Sequence, residues 1–215
     1  MSATPRILIL GIGNILWADE GFGIRAVEEM NRRFVAPENV RFMDGGTQGI
    51  YLVQHIRDCD VLIVFDAVDY GLPPGTLKRV EGDEVPKFLG VKKISLHQTG
   101  FQEVLALAEM MGDGPEHLFL VGVQPVELDD YGGSLRSEVK AQIGPAMDAA
   151  REYAGRFGVT LEERAVPLPE DATLAGNEVQ LSVYENGRPS DEAAFRHGDA
   201  RVVFAGNGDT PGGAN

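Results

Sequence analysis

Four residues of this chain have the type and placing to do chemistry: Glu20, Asp44, Asp66 and His97. Each sits at or just beyond the end of a short apolar run or in the connection that follows it. Glu20 comes after Ile7-Leu8-Ile9-Leu10 and the turn Gly11-Ile12-Gly13-Asn14. Asp44 closes Val40-Arg41-Phe42-Met43, Asp66 closes Val61-Leu62-Ile63-Val64-Phe65, and His97 ends Lys92-Lys93-Ile94-Ser95-Leu96. Two carboxylates and one imidazole, Glu20, Asp66 and His97, make an oxygen and nitrogen donor set that suits Ni²⁺ or Zn²⁺ and leaves positions open for water or a substrate. Such a set can activate water or polarise a carbonyl. Spacing does not choose the metal.

Each residue also has a plainer explanation. Asp19 is expected to cap the helix that begins near Gly21, and an acid in a first helical turn is favoured by the helix dipole, which covers Glu20 equally well. Asp66 could hydrogen-bond the turn that follows it, and a lone histidine is more often a loop or core residue than a ligand. An acid at the end of so apolar a strand is nonetheless a functional signal.

The elements that must position these residues alternate. After the first strand, Ile24, Val27, Met30 and Phe34 recur at helical spacing. A second strand over 40–43 leads to Asp44-Gly45-Gly46-Thr47 and a helix over 48–57, with Thr47 as its expected cap. The nearly unbroken apolar run 61–65 reads as a strand covered on both faces. Residues 76–81 read as an added edge strand, 98–110 as a helix, and 118–123 as the last core strand. A long helix is expected over 137–157, with Gly144-Pro145 as a late start or a kink. This pattern specifies an α/β three-layer sandwich, a mainly parallel twisted sheet of about five strands with helices on both faces. Ligands of such sheets gather beyond the carboxyl ends of the strands, so the four residues are candidates for one shared edge.

Two regions are expected: a catalytic α/β domain over 1–160, and an irregular, acidic, partly disordered appendix over 161–215. In the appendix, Val179-Gln180-Leu181-Ser182-Val183 alternates like a short strand, Asn186-Gly187 signals a turn, and 206–215 reads as disordered.

Composition narrows the function. A net charge of −14 opposes a nucleic-acid backbone. Gly11-Ile12-Gly13-Asn14-Ile15-Leu16 has Leu16 where a dinucleotide fingerprint has its third glycine, and Asp19 and Glu20 would repel a pyrophosphate at the helix start. Cys59 is the single cysteine, which excludes an internal disulfide and a thiolate metal cluster. Its neighbours Asp58 and Asp60 disfavour a thiolate nucleophile. His55, His117 and His197 have no evident partners. The run 7–10 is too short for a signal peptide and no segment is apolar enough to span a bilayer, so a cytoplasmic protein with no membrane partner is expected.

Taken in order, these segments resemble the hydrogenase maturation proteases, the endopeptidases that finish the large subunit of nickel–iron hydrogenases. The resemblance rests on Gly11-Ile12-Gly13-Asn14 with Asp19-Glu20-Gly21-Phe22-Gly23, on Asp44-Gly45-Gly46-Thr47, and on Phe65-Asp66-Ala67. Ser95-Leu96-His97-Gln98 and Val121-Gly122-Val123-Gln124-Pro125 complete it, so that it runs from about 6 to 158. It implies that Glu20, Asp66 and His97 contact the metal and that Glu20 and Asp66 are catalytic, by an aspartic-type or metal-assisted hydrolysis. It implies a substrate, the large-subunit precursor already loaded with nickel, from which a short C-terminal extension is removed. The Ni²⁺ arrives with that substrate, although another divalent cation such as Zn²⁺ could take its place. Asp44, Gly45, Gly46 and Thr47 are the expected contacts to the extension, and a monomer is expected. The alternative is a nickel-binding assembly chaperone that grips the same precursor and cuts nothing.

Overall fold

In a computed structural model, residues 4–90, 96–112, 114–172, 174, 176 and 179–188 are described, without the side chains of 88–90 and 96–99. Strand β1 (Ile7–Ile12) leads through a 3₁₀ turn (Ala18–Gly21) into helix α1 (Phe22–Arg33) and the short β2 (Phe34–Val35). β3 (Val40–Gly46) is followed by a 3₁₀ turn (Gly49–Leu52) and α2 (Val53–Arg57). β4 (Val61–Ala67), β5 (Leu77–Glu81), α3 (Glu84–Gly90), α4 (Leu96–Met110) and β6 (His117–Val123) come next. The chain continues through α5 (Ser137–Lys140), α6 (Ile143–Gly155), β7 (Glu162–Glu163) and α7 (Leu181–Gly187).

Five strands form one sheet in the order β3-β1-β4-β6-β5, parallel except for β5, which runs antiparallel along the edge of β6. The expected α/β architecture therefore holds. Successive side chains on a strand point to opposite faces, and here both faces are covered. Ile7, Ile9, Ile63, Phe65 and Val121 pack with Phe22, Val27 and Met30 of α1 and Met147 and Tyr153 of α6. Leu8, Leu10, Leu62, Val64 and Leu120 pack with Ile56 of α2 and Phe101, Val104 and Leu105 of α4. Double coverage explains why β1 and β4 read as continuous apolar runs rather than alternating ones. Each such side chain contributes about 1.5–3 kcal/mol by leaving water.

The N-terminal glycines serve close packing. A Cβ on Gly23 would lie 2.2 Å from the carbonyl oxygen of Phe65 and 2.3 Å from that of Ile12, and one on Gly11 would lie 2.2 Å from the Gly23 carbonyl oxygen. The start of α1 is thereby pressed directly on the ends of β1 and β4.

Several boundaries depart from expectation. The helix expected over 137–157 breaks at Ala141-Gln142, and Pro145 falls in the first turn of α6, where its missing N–H is no loss. Gly144-Pro145 is a late start. Thr47 does not cap the following helix: Gln48 occupies that position, makes no side-chain cap bond, and the segment begins as a 3₁₀ turn. α3 carries no apolar period strong enough to announce it, and Pro86 again lies in a first turn.

The appendix has more structure than its composition implies. β7 pairs antiparallel with β2, and the N–H groups of Arg164 and Leu168 donate to the carbonyls of Arg33 and Arg32 at 2.8 and 2.9 Å. The segment 179–183, expected as a strand, enters helix α7 instead. Leu181 and Tyr184, half-buried and three residues apart, form the helical face that meets the domain. The residues expected to be disordered, 206–215, lie outside the described residues.

Candidate functional site

The β1–α1 connection is built around Asp19. Its carboxylate is wholly buried and accepts three backbone N–H bonds, from Val126 at 2.8 Å, Glu127 at 2.9 Å and Arg136 at 2.7 Å. Asp19 therefore does not cap α1, as the sequence suggested. It fastens the loop after β6 to the turn before the helix, with charge-assisted bonds of the stronger kind. Further ties flank it: Ala18 N–H to the Gly133 carbonyl, Asp19 N–H to the Glu127 carbonyl, Gly132 N–H to the Leu16 carbonyl, and an edge-on contact of the Trp17 and Tyr131 rings at 5.2 Å. Ala18 is held at φ 39°, a left-handed conformation that costs a residue with a Cβ about 1–2 kcal/mol. Glu20, half-buried, is the next residue but one, and its carbonyl accepts the Asn14 N–H at 3.1 Å. A Cβ on Gly13, which stands at φ +140°, would come within 2.0 Å of that same carbonyl oxygen. The Gly-X-Gly-Asn segment thus shapes a turn that presents Glu20 beyond the end of β1.

Asp66 lies inside β4 rather than after it, and is wholly buried. It follows Leu62 and Val64 in strand parity, so it belongs to the α2 and α4 face of the sheet. Beside it in register is Gly122 of β6. A Cβ there would strike the hydroxyl oxygen of Tyr70 at 2.1 Å, so the Tyr70 ring lies over this glycine. Burial, and then the negative charge of Asp66, push the Tyr70 phenol well above its ordinary range.

Sequence reasoning gave Tyr70 no role and quoted Gln124 only within the resemblance, and both help build this edge. The buried Gln124 side chain accepts the N–H of Tyr70 at 2.8 Å and of Leu72 at 3.1 Å, and donates to Asp69 Oδ1 at 2.9 Å. It holds the β4–β5 loop against the end of β6. A glutamine directly after the apolar run 118–123 is the one sequence signal for this.

His97 falls in the first turn of α4. That end of the helix lies at the same edge, because a Cβ on Gly100 would be 4.0 Å from Gly49 Cα in the β3–α2 connection. The His97 side chain lies outside the described residues. Among the described residues, no three His, Cys, Asp or Glu side chains form a metal-holding group.

Asp44 lies on the opposite face of the sheet from Asp66. It shares parity with Val40 and Phe42 and so belongs to the α1 face. There, burial raises its carboxyl above the ordinary value, while the Gly46 N–H at 2.8 Å and the charge of Arg25 pull it back. Arg25 is itself buried and pairs with buried Glu28 at 3.0 Å. Burial also raises Glu28, against the pull of Arg25, and Asp44 adds to the rise. The Arg25–Glu28 pair of α1 and Asp44 thus influence one another electrostatically on this face. Gly45 and Gly46 remain at the strand edge, where the Gly46 carbonyl accepts the Gly13 N–H at 3.1 Å. Cys59 is buried and its thiol is pushed up to about 12, chiefly by burial, which agrees with its rejection as a nucleophile.

The structure thus sets a buried carboxylate, Asp66, at the carboxyl end of the parallel sheet, where ligands of such folds gather, and a glycine-shaped turn bearing Glu20 beyond the neighbouring strand. The chain belongs to the hydrogenase maturation protease family, whose model matches residues 24–152. It is a peptidase of that family. It is 62% identical over 203 residues to the hydrogenase expression/formation protein HupD of Thiocapsa roseopersicina, covering 94% of this chain and 92% of that one. It is 42% identical over 155 residues to the hydrogenase 2 maturation protease of Escherichia coli, covering 72% of this chain and 93% of that one. The solved structure of the hydrogenase-maturating endopeptidase HybD from E. coli superimposes with a TM-score of 0.71 at 38% identity, covering 74% of this chain and 98% of its own. No helix among the described residues is long and apolar enough to cross a membrane.

Proposed function

We propose that this protein removes the C-terminal extension from a nickel-loaded hydrogenase large-subunit precursor, with Glu20, Asp66 and His97 gripping the precursor's nickel. The observation that carries this reading is Asp66, a wholly buried carboxylate at the end of an apolar strand, on the sheet face of α2 and α4 and one residue beyond Phe65, whose carbonyl meets Gly23 at the start of α1. In this reading the bound nickel draws the scissile peptide over the sheet edge. Water adds its oxygen to the carbonyl carbon, its proton passes to a carboxylate of Glu20 or Asp66 or is released under the pull of the metal, and the C–N bond breaks as the amine takes up a proton. Zn²⁺ would suit the same donors.

Exposed apolar side chains on four connections surround this edge, among them Leu16, Tyr51, Leu72, Val126 and Tyr131, with Tyr51 78% and Tyr131 65% exposed. Such a rim suits a protein substrate better than a small molecule. The segment Gly45-Gly46-Thr47 is placed to meet the extension backbone, with Asp44 shaping it through the Gly46 N–H rather than touching the substrate. The protein works as a cytoplasmic monomer in this account.

Glu20→Gln supplies the test. The variant should keep the wild-type circular dichroism and unfolding midpoint while losing at least about a hundredfold in the rate of extension removal. Processing at the wild-type rate would overturn the assignment.

A further inference from the structure

The E. coli endopeptidase structure covers nearly all of itself but leaves about a quarter of this chain without a counterpart, whereas the T. roseopersicina relative runs almost the full length. α7 and the residue after it lie beyond the stretch matched by the family, and they do not pack at random. Arg188 donates two bonds to Asp130, from Nη1 at 2.9 Å and Nη2 at 2.8 Å, and Arg136 donates a third at 2.8 Å. Glu185 accepts from Lys140 Nζ at 2.8 and 3.1 Å and from the Ser134 hydroxyl at 2.8 Å. Tyr184 lies under the Arg25 guanidinium, 5.9 Å from its ring centre.

Apart from Arg25 and from Glu170, which accepts the Ser182 hydroxyl, the charged partners named for α7 and Arg188 fall on or beside one segment, the loop after β6. That loop is the one Asp19 holds through the N–H groups of Val126, Glu127 and Arg136, and the one that places Tyr131 against Trp17. The buried carboxylate secures it at 126–127 and at 136, and the tail holds it between these points, at Asp130 and Ser134, and at Lys140 beyond.

We infer that the end of α7 is a clamp on the substrate-facing loop: Glu185 and Arg188 hold residues 130–140 so that Val126 and Tyr131 meet the precursor in a fixed arrangement. They are positioning residues and touch no reacting atom. The two arginines also hold the Asp130 carboxyl down to about 2, so the pairing with Asp130 persists at every pH at which the enzyme would work. Asp19 keeps the same loop tied to the turn bearing Glu20 through Val126, Glu127 and Arg136, so loosening the clamp should weaken docking and leave the chemical step alone.

The inference rests on the proposed precursor cleavage, and its test separates the two. In the full-length chain, Glu185→Lys with Arg188→Glu replaces both attractions by repulsions. Processing of nickel-loaded precursor should then show KM raised about three- to tenfold with kcat within about twofold. Hydrogen exchange should quicken at the amides of 130–136 and stay unchanged in β1 and β4. Lys140→Glu combined with Glu185→Lys restores one pair in reverse and should bring KM back to within about twofold of wild type. Wild-type KM and wild-type exchange in the repulsive double variant would overturn the clamp, as would a fall in kcat with KM unchanged. Failure of the wild-type protein itself to cleave would overturn the functional reading, while the exchange measurement would still decide the clamp.

Discussion

The two faces of the sheet treat their strand-end acids in opposite ways. On the α1 face, Asp44 bonds the Gly46 N–H and feels the charge of Arg25, which is buried and paired with Glu28. On the α4 face, Asp66 is wholly buried beside Gly122, where the Tyr70 ring of the Gln124-held loop lies over the strand. One residue of register separates these fates. Phe65 and Asp44 both pair with Gly11, so Asp66 stands one step further along and on the other face. The face on which an acid at the end of a strand falls is thus set by parity, and not by its distance along the chain.

The sharpest way to break this contrast is to make the same change on both faces. Asp66→Asn should lower precursor processing by at least about a hundredfold, while Asp44→Asn, whose amide oxygen can still accept the Gly46 N–H, should stay within about threefold. Equal losses in the two variants would erase the distinction. Next in size is the anchor of the β1–α1 turn. Asp19→Ala strips the acceptor from three backbone N–H groups and should cost about 3 kcal/mol in urea unfolding; a cost below about 1 kcal/mol would show that the loop after β6 holds itself. Gln124→Leu removes three bonds from the β4–β5 loop and should cost about 2 kcal/mol, with the Tyr70 amide losing exchange protection first.

The smallest effect concerns pH. Burial raises the Asp44 carboxyl in the folded protein, so folding favours its neutral form. Its contribution to stability is complete below the ordinary carboxylate value near 4 and is lost as pH rises through the higher folded value. Asp44→Asn removes that loss, so its stability relative to wild type should be greater at pH 7 than at pH 4. A difference that is flat, or that runs the other way, would show that burial does not govern the Asp44 carboxyl.

Much of this was legible in the sequence. The apolar runs of β1, β4 and β6 announced a doubly covered parallel sheet, and the ends of the runs at 10 and 65 pointed to the connection bearing Glu20 and to Asp66. Strand parity was not legible, since it depends on the pairing of β1 with β3 and β4, which no local pattern encodes. Asp19 looked like a helix cap because its true partners lie more than a hundred residues away. The helix at 181–187 was hidden by the alternation of Val179, Leu181 and Val183, which mimics a strand; only contact with α1 selects the helical face of Leu181 and Tyr184. Gln124 was visible as a polar residue after an apolar strand, but its three partners come from a loop whose path the sequence does not fix.

The central claim is that the Glu20 and Asp66 edge cuts a nickel-loaded precursor rather than merely holding it. Incubating the protein with nickel-loaded hydrogenase large-subunit precursor and weighing the product tests this most directly. The account predicts a mass reduced by that of the C-terminal extension, and an unchanged mass when Asp66→Asn replaces the wild type. An intact precursor in a stable complex with the wild-type protein would contradict it and identify an assembly chaperone instead.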